Sequence, residues 1–426
     1  MPRSSRFPRW AGAAVAVATL AGTLLLPTAA ATAGPVEPPA RPGHGPIDEQ
    51  RPGEEQKPVD ERRPVDEQHL VDEQVDFILS EQLASGAILS TGTRISPYFA
   101  NIAALGLLAA DTRAARAGTL RWMTWNLGHL NAAALNVPAN SVFDYVYDPV
   151  ARTETPTGDF DSVDSYASTA LNVAYAAYSS KDPALRSFVR KNVGVYEAIA
   201  DLVITPAPTG VLVAAGPDAG LTVAKPSYPI AFTMDNAEVY SGLVDLAKLE
   251  RSLGRSAQAA KYAAWAAATK SAMVDKLWNP GNDNWDWAYA NPSSTDVFYA
   301  QGTAQLWPII FGVVAPTDPR ALSGWGQFVA SYPAWFGGEL PDSYPWVSVA
   351  RAAQLMGSPV GAAAFLDAIH ARYAPGFTLP TTCGAAVCGE WYDAEAGWFL
   401  LAQSAGAERC RVAGAPARSR SHGRCS

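Results

Sequence analysis

Residues 158–204 read GDFDSVDSYASTALNVAYAAYSSKDPALRSFVRKNVGVYEAIADLVI and contain two helical segments of different character. Residues 164–179 are small or apolar on nearly every side, and such a helix must be enclosed on every side. Residues 183–204 carry charges on one side only, which is typical of a helix that covers a core. The short link KDP at 181–183 joins them, so the stretch predicts a hairpin of one enclosed and one exposed helix.

The same alternation occurs six times along the chain. Amphipathic helices are predicted at 68–86, 112–131, 183–204, 256–278, 318–332 and 359–373, and enclosed helices at 97–110, 164–179, 236–250, 297–313, 344–356 and 394–405. Six enclosed helices surrounded by six exposed ones predict an all-α fold, an (α/α)6 barrel. A helical-repeat solenoid is the competing architecture, but it requires a short fixed period, and the spacing between these hairpins varies.

The first 33 residues predict a Sec-type signal peptide. Arg3, Arg6 and Arg9 precede the apolar run AGAAVAVATLAGTLLL, which ends in small residues at 31–33 and follows no twin arginine. An uncleaved anchor is the alternative, but the run is short for a membrane span, and no other stretch is long and apolar enough. We therefore expect a secreted protein without membrane insertion after signal cleavage. Cleavage removes three arginines and no acids, which changes the formal charge from −8 to −11.

Charged segments of low complexity flank one predicted folded domain. Residues 34–69 are proline-rich and repeat VDEQ-like units, so they predict a disordered spacer that cannot bury a core. Residues 70–408 form the predicted catalytic barrel, and residues 409–426 form a basic C-terminal tail. The acidic charge balance is a poor match for nucleic acid, whose phosphates require basic patches. We expect the protein to be a monomer.

The cysteines agree with export. Cys383 and Cys388 are close together in CGAAVC, a spacing that predicts a disulfide closing one loop. Cys410 and Cys425 lie near the basic tail, and whether they pair is left open. Neither pair has the partner histidines of a zinc site, so no metal site is predicted.

Carboxylates lie at the N-terminal ends of nearly all the enclosed helices. In a barrel, these ends converge on one opening, which we call the funnel, and the long links 132–163, 205–234, 279–296 and 374–393 gather on the same side. Helix capping alone explains any single acid, because helix N-termini favour negative charge. The number of acids favours a site formed by Asp161, Asp164, Asp235, Asp296, Asp342, Glu390 and Asp393.

Aromatic residues occur beside these acids in loops that are too polar to be core segments. The loop sequences are NDNWDWAYAN, DSYPW and GEWYDAEAGW. Flat rings stack on sugar faces, and neighbouring carboxylates and amides bind hydroxyl groups. The alternative for each ring is that it packs the loop against the barrel. The pattern predicts a carbohydrate substrate, bound by Trp285, Asp286, Trp287, Tyr344, Trp346, Trp391, Asp393 and Asn236.

The sequence lacks the motifs of other enzyme classes, which leaves carboxylates as the candidate catalytic groups. The chain contains no G-x-S-x-G, H-E-x-x-H, G-x-x-x-x-G-K-[ST] or G-x-G-x-x-G motif, and its five histidines fall in or beside the loose ends or in outer helices. Two carboxyls can cleave a glycosidic bond, one as the acid and one activating water. We therefore predict a glycoside hydrolase without a cofactor, inverting if the carboxyls stand far enough apart. The catalytic candidates are Asp164, Asp235, Asp161 and Glu390.

The alternating helices and acidic inner N-termini, with the segments DSVDSYA at 161–167 and TMDNAEVYSG at 233–242, resemble the six-hairpin glycosidase superfamily over residues 70–407. That fold is shared by several glycoside hydrolase families and by some lyases and epimerases. In its unsaturated glucuronyl and rhamnogalacturonyl hydrolases, two aspartates at the starts of successive inner helices matter most. The resemblance implies these roles for Asp161 or Asp164, and for Asp235. N-acylglucosamine epimerases use paired histidines on inner helices, which this chain lacks.

Two other functions are compatible with the sequence. A polysaccharide lyase needs a tyrosine or histidine base and positive charge near a uronate carboxylate, for which Lys225 is one of few candidates. A carbohydrate-binding protein that has lost the chemistry could keep the same acids and rings. A hydrolase loses turnover but not sugar affinity when Asp164 or Asp235 is replaced, whereas a binding protein loses affinity or nothing.

Overall fold

A computed structural model of the chain describes residues 67–294, 296–373 and 391–412, with side chains assigned from 68 to 404 within these ranges. The predicted signal peptide, most of the spacer and most of the basic tail lie outside the described residues. So do the predicted Cys383–Cys388 disulfide and Glu390. These predictions stay predictions.

Twelve helices account for most of the described part of the chain. In chain order they are α1 Glu67–Ser80, α2 Pro97–Ala110, α3 Arg113–Gly128, α4 Val163–Ser179, α5 Pro183–Ile204, α6 Thr233–Ser252, α7 Ser256–Lys276, α8 Trp307–Ile310, α9 Pro319–Ser331, α10 Ser348–Leu355, α11 Pro359–Tyr373 and α12 Asp393–Val412. Each coincides with one of the twelve predicted segments, although α8 and α10 are shorter than predicted. The all-α prediction is confirmed.

The even-numbered helices form a closed inner ring. They contact one another in the order α2, α4, α6, α8, α10 and α12, and α12 returns to pack against α2. The odd-numbered helices lie outside: α5 packs on α4, α7 on α6, and α11 on α10. A solenoid would leave its first and last inner helices apart, so ring closure confirms the (α/α)6 barrel.

Glycines allow the inner helices to approach closely. A Cβ placed on Gly106 of α2 would lie 2.6 Å from the Cα of Gly397 in α12. A Cβ placed on Gly242 of α6 would lie 2.6 Å from the carbonyl oxygen of Ser168 in α4. Real Cβ atoms do not tolerate such distances, so these positions admit only glycine at the present spacing of the helices.

The fourth and fifth inner elements depart from regular helix near the funnel. The predicted helix 297–313 consists of a π turn at Phe298–Gly302, a 3₁₀ turn at Thr303–Gln305 and the four-residue α8. The predicted helix 344–356 starts only at Ser348, because Trp346 has a left-handed backbone with φ +50°. Irregular backbone therefore carries the two aromatic residues Tyr299 and Trp346 at the funnel.

In the described part of the chain, short strands lie in the links that run from outer to inner helices. β1 Arg94–Ile95, β2 Tyr145–Asp148 and β3 Thr153–Pro156 form an antiparallel sheet in the order β1-β2-β3, with Arg94 opposite Val146 and Tyr147 opposite Glu154. β4 Trp278–Asn279 pairs with β5 Asn284–Trp285. Within the described ranges, no helix has the length and apolar character needed to span a bilayer.

Candidate active site

Acids cap outer helices but not the inner helices α4 and α6. Asp182 accepts hydrogen bonds from the first backbone N–H groups of α5, and Asp318 does the same for α9. The N-cap of α4 is Ser162 rather than Asp161, and the N-cap of α6 is Phe232, and neither makes a side-chain capping bond. Capping therefore does not explain the acids at the start of these two inner helices.

Asp164 is fully buried at the second position of α4, and both of its carboxyl oxygens are occupied. Oδ1 accepts hydrogen bonds from Ser162 Oγ at 2.8 Å and from the backbone N of Ser165 at 3.0 Å. Oδ2 accepts one from Thr222 Oγ1 at 2.7 Å. Burial raises the pKa of Asp164 to about 6, although the three hydrogen bonds favour the ionised form. Asp164 thus belongs to the site without being open to the funnel.

Asp235 lies beside Asp164, and one hydroxyl joins the two. Ser162 Oγ is 2.6 Å from Asp235 Oδ2, so the bridged oxygens of the two carboxyls are at most about 5.4 Å apart, the sum of the two bond lengths. Ser162 has one hydroxyl proton, so when it donates to one carboxyl the other must itself be protonated to form a hydrogen bond. Burial and then the charge of Asp164 raise the pKa of Asp235 well above its usual range. Asp235 remains partly exposed to the funnel.

Glu238 is a third carboxyl of the cluster, and the sequence interpretation missed it. Its Oε1 accepts hydrogen bonds from Tyr98 Oη at 2.6 Å and from Trp307 Nε1 at 2.8 Å. Burial, and then the charge of Asp235, raises the pKa of Glu238 to about 8. The available signal was its position in TMDNAEVYSG: it follows Asp235 by three residues, which places both acids on one face of α6.

The link between α5 and α6 is fastened to the cluster by Asn236. Its Oδ1 accepts from the backbone N of Thr222 at 2.9 Å, and its Nδ2 donates to the carbonyls of Thr222 and Phe232 at 3.1 and 2.8 Å. Asn236 is fully buried and its amide is used by the backbone. The structure therefore assigns it to positioning Thr222, which bonds Asp164, and not to contacting a sugar.

Asp161 is exposed beside the cluster. Its charge contributes to the raised pKa of Asp235 after burial and Asp164. A neighbouring group behind it consists of Asp144, Arg94 and Tyr166. Arg94 Nη2 lies 2.6 Å from Asp144 Oδ2, and Tyr166 Oη donates to Asp144 Oδ1 at 2.8 Å. Burial outweighs these contacts and raises the pKa of Asp144.

A wall of aromatic side chains lies at the same end of the inner helices as the carboxyl cluster. The ring of Phe99 lies 4.9 Å from that of Tyr392, which meets Tyr344 edge-on at 5.9 Å. Tyr299 packs on Trp346 at 5.3 Å. Although the Tyr299 residue is 56% exposed, the surrounding protein raises the pKa of its hydroxyl, and the carboxyls of Asp235 and Asp161 raise it further. Tyr344 and Trp346, both predicted to bind substrate, lie in this wall.

Other predicted sugar-binding residues occupy different positions. Trp285 is fully buried and packs edge-on against Trp278 at 5.3 Å, which makes it a core residue with no free ring face. Trp391 is also buried, 5.1 Å from Tyr373. Both tryptophans were predicted to lie at the surface because the residues next to them in the sequence are polar. Trp287 is partly exposed beside Phe232, at 5.7 Å, and remains available to a ligand.

Two acids that were predicted to bind sugar, Asp286 and Asp393, are respectively hydrogen-bonded within the protein and buried. Asp286 Oδ1 accepts from Asn279 Nδ2 at 3.0 Å. Asp393 is fully buried at the start of α12, and burial, with a smaller effect of Glu81, raises its pKa well above its usual range. Glu395, which was not predicted, accepts from the backbone N of Trp346 and of Val347 at 3.2 and 2.7 Å. It therefore fixes the start of α10.

The cation proposed for a lyase is already paired. Lys225 Nζ lies 2.9 and 3.1 Å from the two carboxyl oxygens of Asp159 and donates to the carbonyl of Phe160 at 2.7 Å. It is therefore not free to neutralise a uronate. No group of three or more potential metal ligands occurs among the described residues.

Comparisons with known proteins agree with this fold. Residues 231–334, which include Asp235 and Glu238, match the model of the mannosylglycerate hydrolase MGH1-like glycoside hydrolase domain. A glycosidase variant in complex with glucose superposes with a TM-score of 0.56 at 12% identity, covering 80% of this chain and 97% of that chain. No curated protein matches the sequence.

Two further solved structures share the architecture. The GH63 mannosylglycerate hydrolase from Thermus thermophilus, in complex with glucose, gives a TM-score of 0.53 at 14% identity and covers 78% of this chain and 99% of that chain. The rhamnosidase from Klebsiella oxytoca with rhamnose bound gives 0.54 at 15% identity and covers 83% of this chain and 65% of that chain. Residues 231–334 thus match a glycoside hydrolase domain, and the solved glycosidases share the (α/α)6 fold of this chain.

Proposed function

We propose that the protein is a secreted glycoside hydrolase in which Asp235 donates the proton to the leaving oxygen. The observation that carries the proposal is the Ser162 bridge, which places a partly exposed carboxyl next to a fully buried one. The raised pKa of Asp235 keeps the carboxyl protonated at the pH where an acid is needed. Secretion and a monomeric state are parts of the proposal that rest on the sequence alone.

Asp164 is assigned a supporting role. Its carboxyl oxygens are taken up by Ser162, Ser165 and Thr222, and its side chain is closed to the funnel. Inverting enzymes hold their two carboxyls roughly 6.5–9.5 Å apart to admit a water, which is wider than the separation of the bridged oxygens here. Asp164 therefore holds Asp235 in place, and another residue activates the water.

Glu390 is the proposed base. Counted along the inner ring in either direction, α12 is the third helix from α6, so the two helices lie opposite each other. Glu390 lies outside the described residues, but it directly precedes Trp391 and Tyr392, which lead into α12. Inversion needs the base on the face of the sugar opposite the general acid, and Glu390 is the carboxylate that the sequence offers in the link leading into α12. Asp161 is next to α4 on the Asp235 side and is the less suitable candidate.

The test uses aryl glycosides of several sugars with good and poor leaving groups. Asp235→Asn should lower kcat/KM by about a thousandfold or more for poor leaving groups and much less for dinitrophenyl glycosides, which need little proton donation. Glu390→Gln should lose activity on both, and azide should restore turnover with an inverted azide product. Proton NMR of the first-formed sugar reports the anomer directly.

Three outcomes contradict parts of this proposal. A first-formed product with retained configuration would exclude inversion. An unsaturated product would replace hydrolysis by a lyase reaction. Sugar binding without turnover in the unmodified protein, seen as a rise in Tm, would mean that the protein binds carbohydrate and does not cleave it.

A further inference from the structure

We infer that Glu395 is a positioning residue that sets the affinity for the sugar by holding the ring of Trp346 at the funnel. This inference rests on the proposed function and adds to it the groups that determine KM. Neither residue takes part in the proposed proton transfers, so the expected effect is on binding and not on the chemical step.

The backbone of Trp346 has a conformation that its own side chain disfavours. Its φ of +50° lies in the left-handed region, and Trp346 is the one aromatic residue found there within the described ranges. This region is strained for a bulky residue, and such strain persists only where the surrounding structure enforces it. The position of Trp346 is therefore imposed by its neighbours.

Glu395 supplies the restraint from α12. Its Oε1 accepts hydrogen bonds from the backbone N of Trp346 at 3.2 Å and from Tyr392 Oη at 3.1 Å, and its Oε2 accepts one from the backbone N of Val347 at 2.7 Å. The Glu395 side chain is buried, so water does not replace these bonds. An ionised carboxylate can accept from all three donors, whereas protonation turns one oxygen into a donor.

The restrained ring lies close to the residues of the proposed acid site. Tyr299 packs on Trp346 at 5.3 Å, and burial, followed by the charge of Asp235, raises the pKa of the Tyr299 hydroxyl. Trp307, which donates to Glu238, meets Trp346 edge-on at 6.1 Å. Trp346 remains partly exposed. It is therefore placed to contact a sugar whose leaving oxygen faces Asp235.

The carboxyl of Glu395 changes its charge near neutral pH. Burial raises its pKa to about 7, although its three hydrogen bonds favour the ionised form. The titratable groups around it are Tyr392 on α12, Tyr373 on α11 and Asp342 in the link before α10. Burial raises the pKa of both tyrosines, so they stay neutral at this pH, and the charge of Asp342 adds to the rise at Glu395. The restraint on Trp346 should thus be complete above pH 7 and weaken below it.

The first test measures KM and kcat of the full-length protein from about pH 5.5 to about pH 8.5. The substrate is a p-nitrophenyl glycoside that a panel of neutral sugars shows to be cleaved. We expect KM to rise roughly three- to tenfold as the pH falls through the pKa of Glu395. In Glu395→Gln, KM should be raised at every pH and independent of pH, because the amide nitrogen cannot accept a hydrogen bond. At each pH, kcat should stay within about twofold of the unmodified protein.

A matched control separates positioning from general loss of stability. Glu250 is also a fully buried glutamate, near the end of α6 that is remote from the funnel, and it accepts from Arg255 Nε at 2.6 Å. Burial raises its pKa as well. Glu250→Gln should therefore lower Tm but leave KM and its pH dependence unchanged.

A double-mutant cycle tests whether Glu395 acts through Trp346. Glycine tolerates the left-handed backbone, so Trp346→Gly removes the ring without adding strain. This variant should raise KM about tenfold with little change in kcat. Adding Glu395→Gln to it should raise KM by less than about twofold more, because the group that Glu395 positions is gone.

Several results would overturn the inference. A KM of the unmodified protein that does not change across the pH range would do so, and this measurement decides the question if a variant does not fold. The same pH dependence in Glu395→Gln would mean that another group titrates. Fully multiplicative effects in the cycle would mean that Glu395 does not act through Trp346. Failure of every glycoside in the panel is a different result, because it would refute hydrolysis itself.

Discussion

Replacing Asp164 by Asn should move the pH dependence of the enzyme and not simply abolish its activity. Asp164 does not face the funnel, and it reaches Asp235 through the shared hydroxyl of Ser162. Asn keeps the size of the side chain. Its Oδ1 can still accept from Ser162 and Ser165, and its Nδ2 can donate to Thr222. The substitution therefore removes a charge while leaving the local geometry largely in place.

The magnitude follows from the separation of the two carboxyls. At the upper limit of about 5.4 Å between the bridged oxygens, two unit charges interact by about 3 kcal/mol at an effective dielectric of about 20. That energy corresponds to about two pKa units. Asp164, with a pKa of about 6, is ionised at the higher pH where Asp235 loses its proton, so we expect the pKa of Asp235 to shift by one to two units. The like charge raises the pKa of Asp235, so its removal lowers that pKa.

The assay is the pH profile of kcat/KM on an aryl glycoside with a poor leaving group. The basic limb of this profile reports loss of the proton from the general acid of the free enzyme. In Asp164→Asn this limb should move to lower pH by about one to two units, while activity at acidic pH is largely retained. Asp111→Asn, remote from the funnel, serves as the control and should keep the original profile.

Two results would refute this reasoning. An unmoved basic limb in a variant with normal melting would mean that Asp164 does not act electrostatically on the proton donor. Equal loss of activity at every pH would mean that Asp164 contacts the substrate or that Asp235 is not the acid. Circular dichroism and Tm at the assay pH exclude unfolding as the cause of either result.

Four further substitutions test other parts of the structure. The Glu238 carboxyl has a pKa of about 8 in the folded protein and of 4.5 in the unfolded chain. The protein therefore loses stability as the pH rises from 4.5 to 8, because the unfolded chain releases this proton first. Glu238→Gln should raise Tm relative to the unmodified protein at pH 8 and change it little at pH 4. Gly397→Ala would place a Cβ 2.5 Å from the carbonyl oxygen of Ile102 and should destabilise the barrel by about 1–3 kcal/mol in denaturant unfolding. Trp285→Ala should lower stability by about 3–5 kcal/mol, whereas Trp287→Ala should weaken sugar binding in calorimetry with little change in Tm.

The architecture could be predicted because it is encoded in local periodicity. Whether a helix is apolar on one side or on all sides is visible in its own residues, and alternation of the two kinds leaves few ways to pack. The breaks in the fourth and fifth inner elements were not visible in this way. Tyr299 and Trp346 depart from helix at contacts with other inner elements, such as Glu395 of α12 with the backbone N–H of Trp346.

The site could be predicted only in part, because its bonds join residues distant in sequence. Asp164 and Asp235 were recognisable from their places at successive inner helices. Glu238 was not, since its partners Tyr98 and Trp307 lie 140 and 69 residues away. Trp285 shows the converse error: its polar neighbours suggested a surface ring, but the hairpin of β4 and β5 turns it onto Trp278 in the core.

The acid chemistry depends on closure of the ring. A helix N-terminus favours an ionised carboxylate, so the first turns of α4 and α6 would by themselves lower the pKa of Asp164 and Asp235. Both pKa values are instead raised, because burial and the neighbouring carboxyl outweigh the helix dipoles. In an open array of hairpins the same acids would face water and remain ionised. The close contact between Gly106 and Gly397, which joins the first inner helix to the last, therefore supports the fold and also the protonated state that a general acid requires.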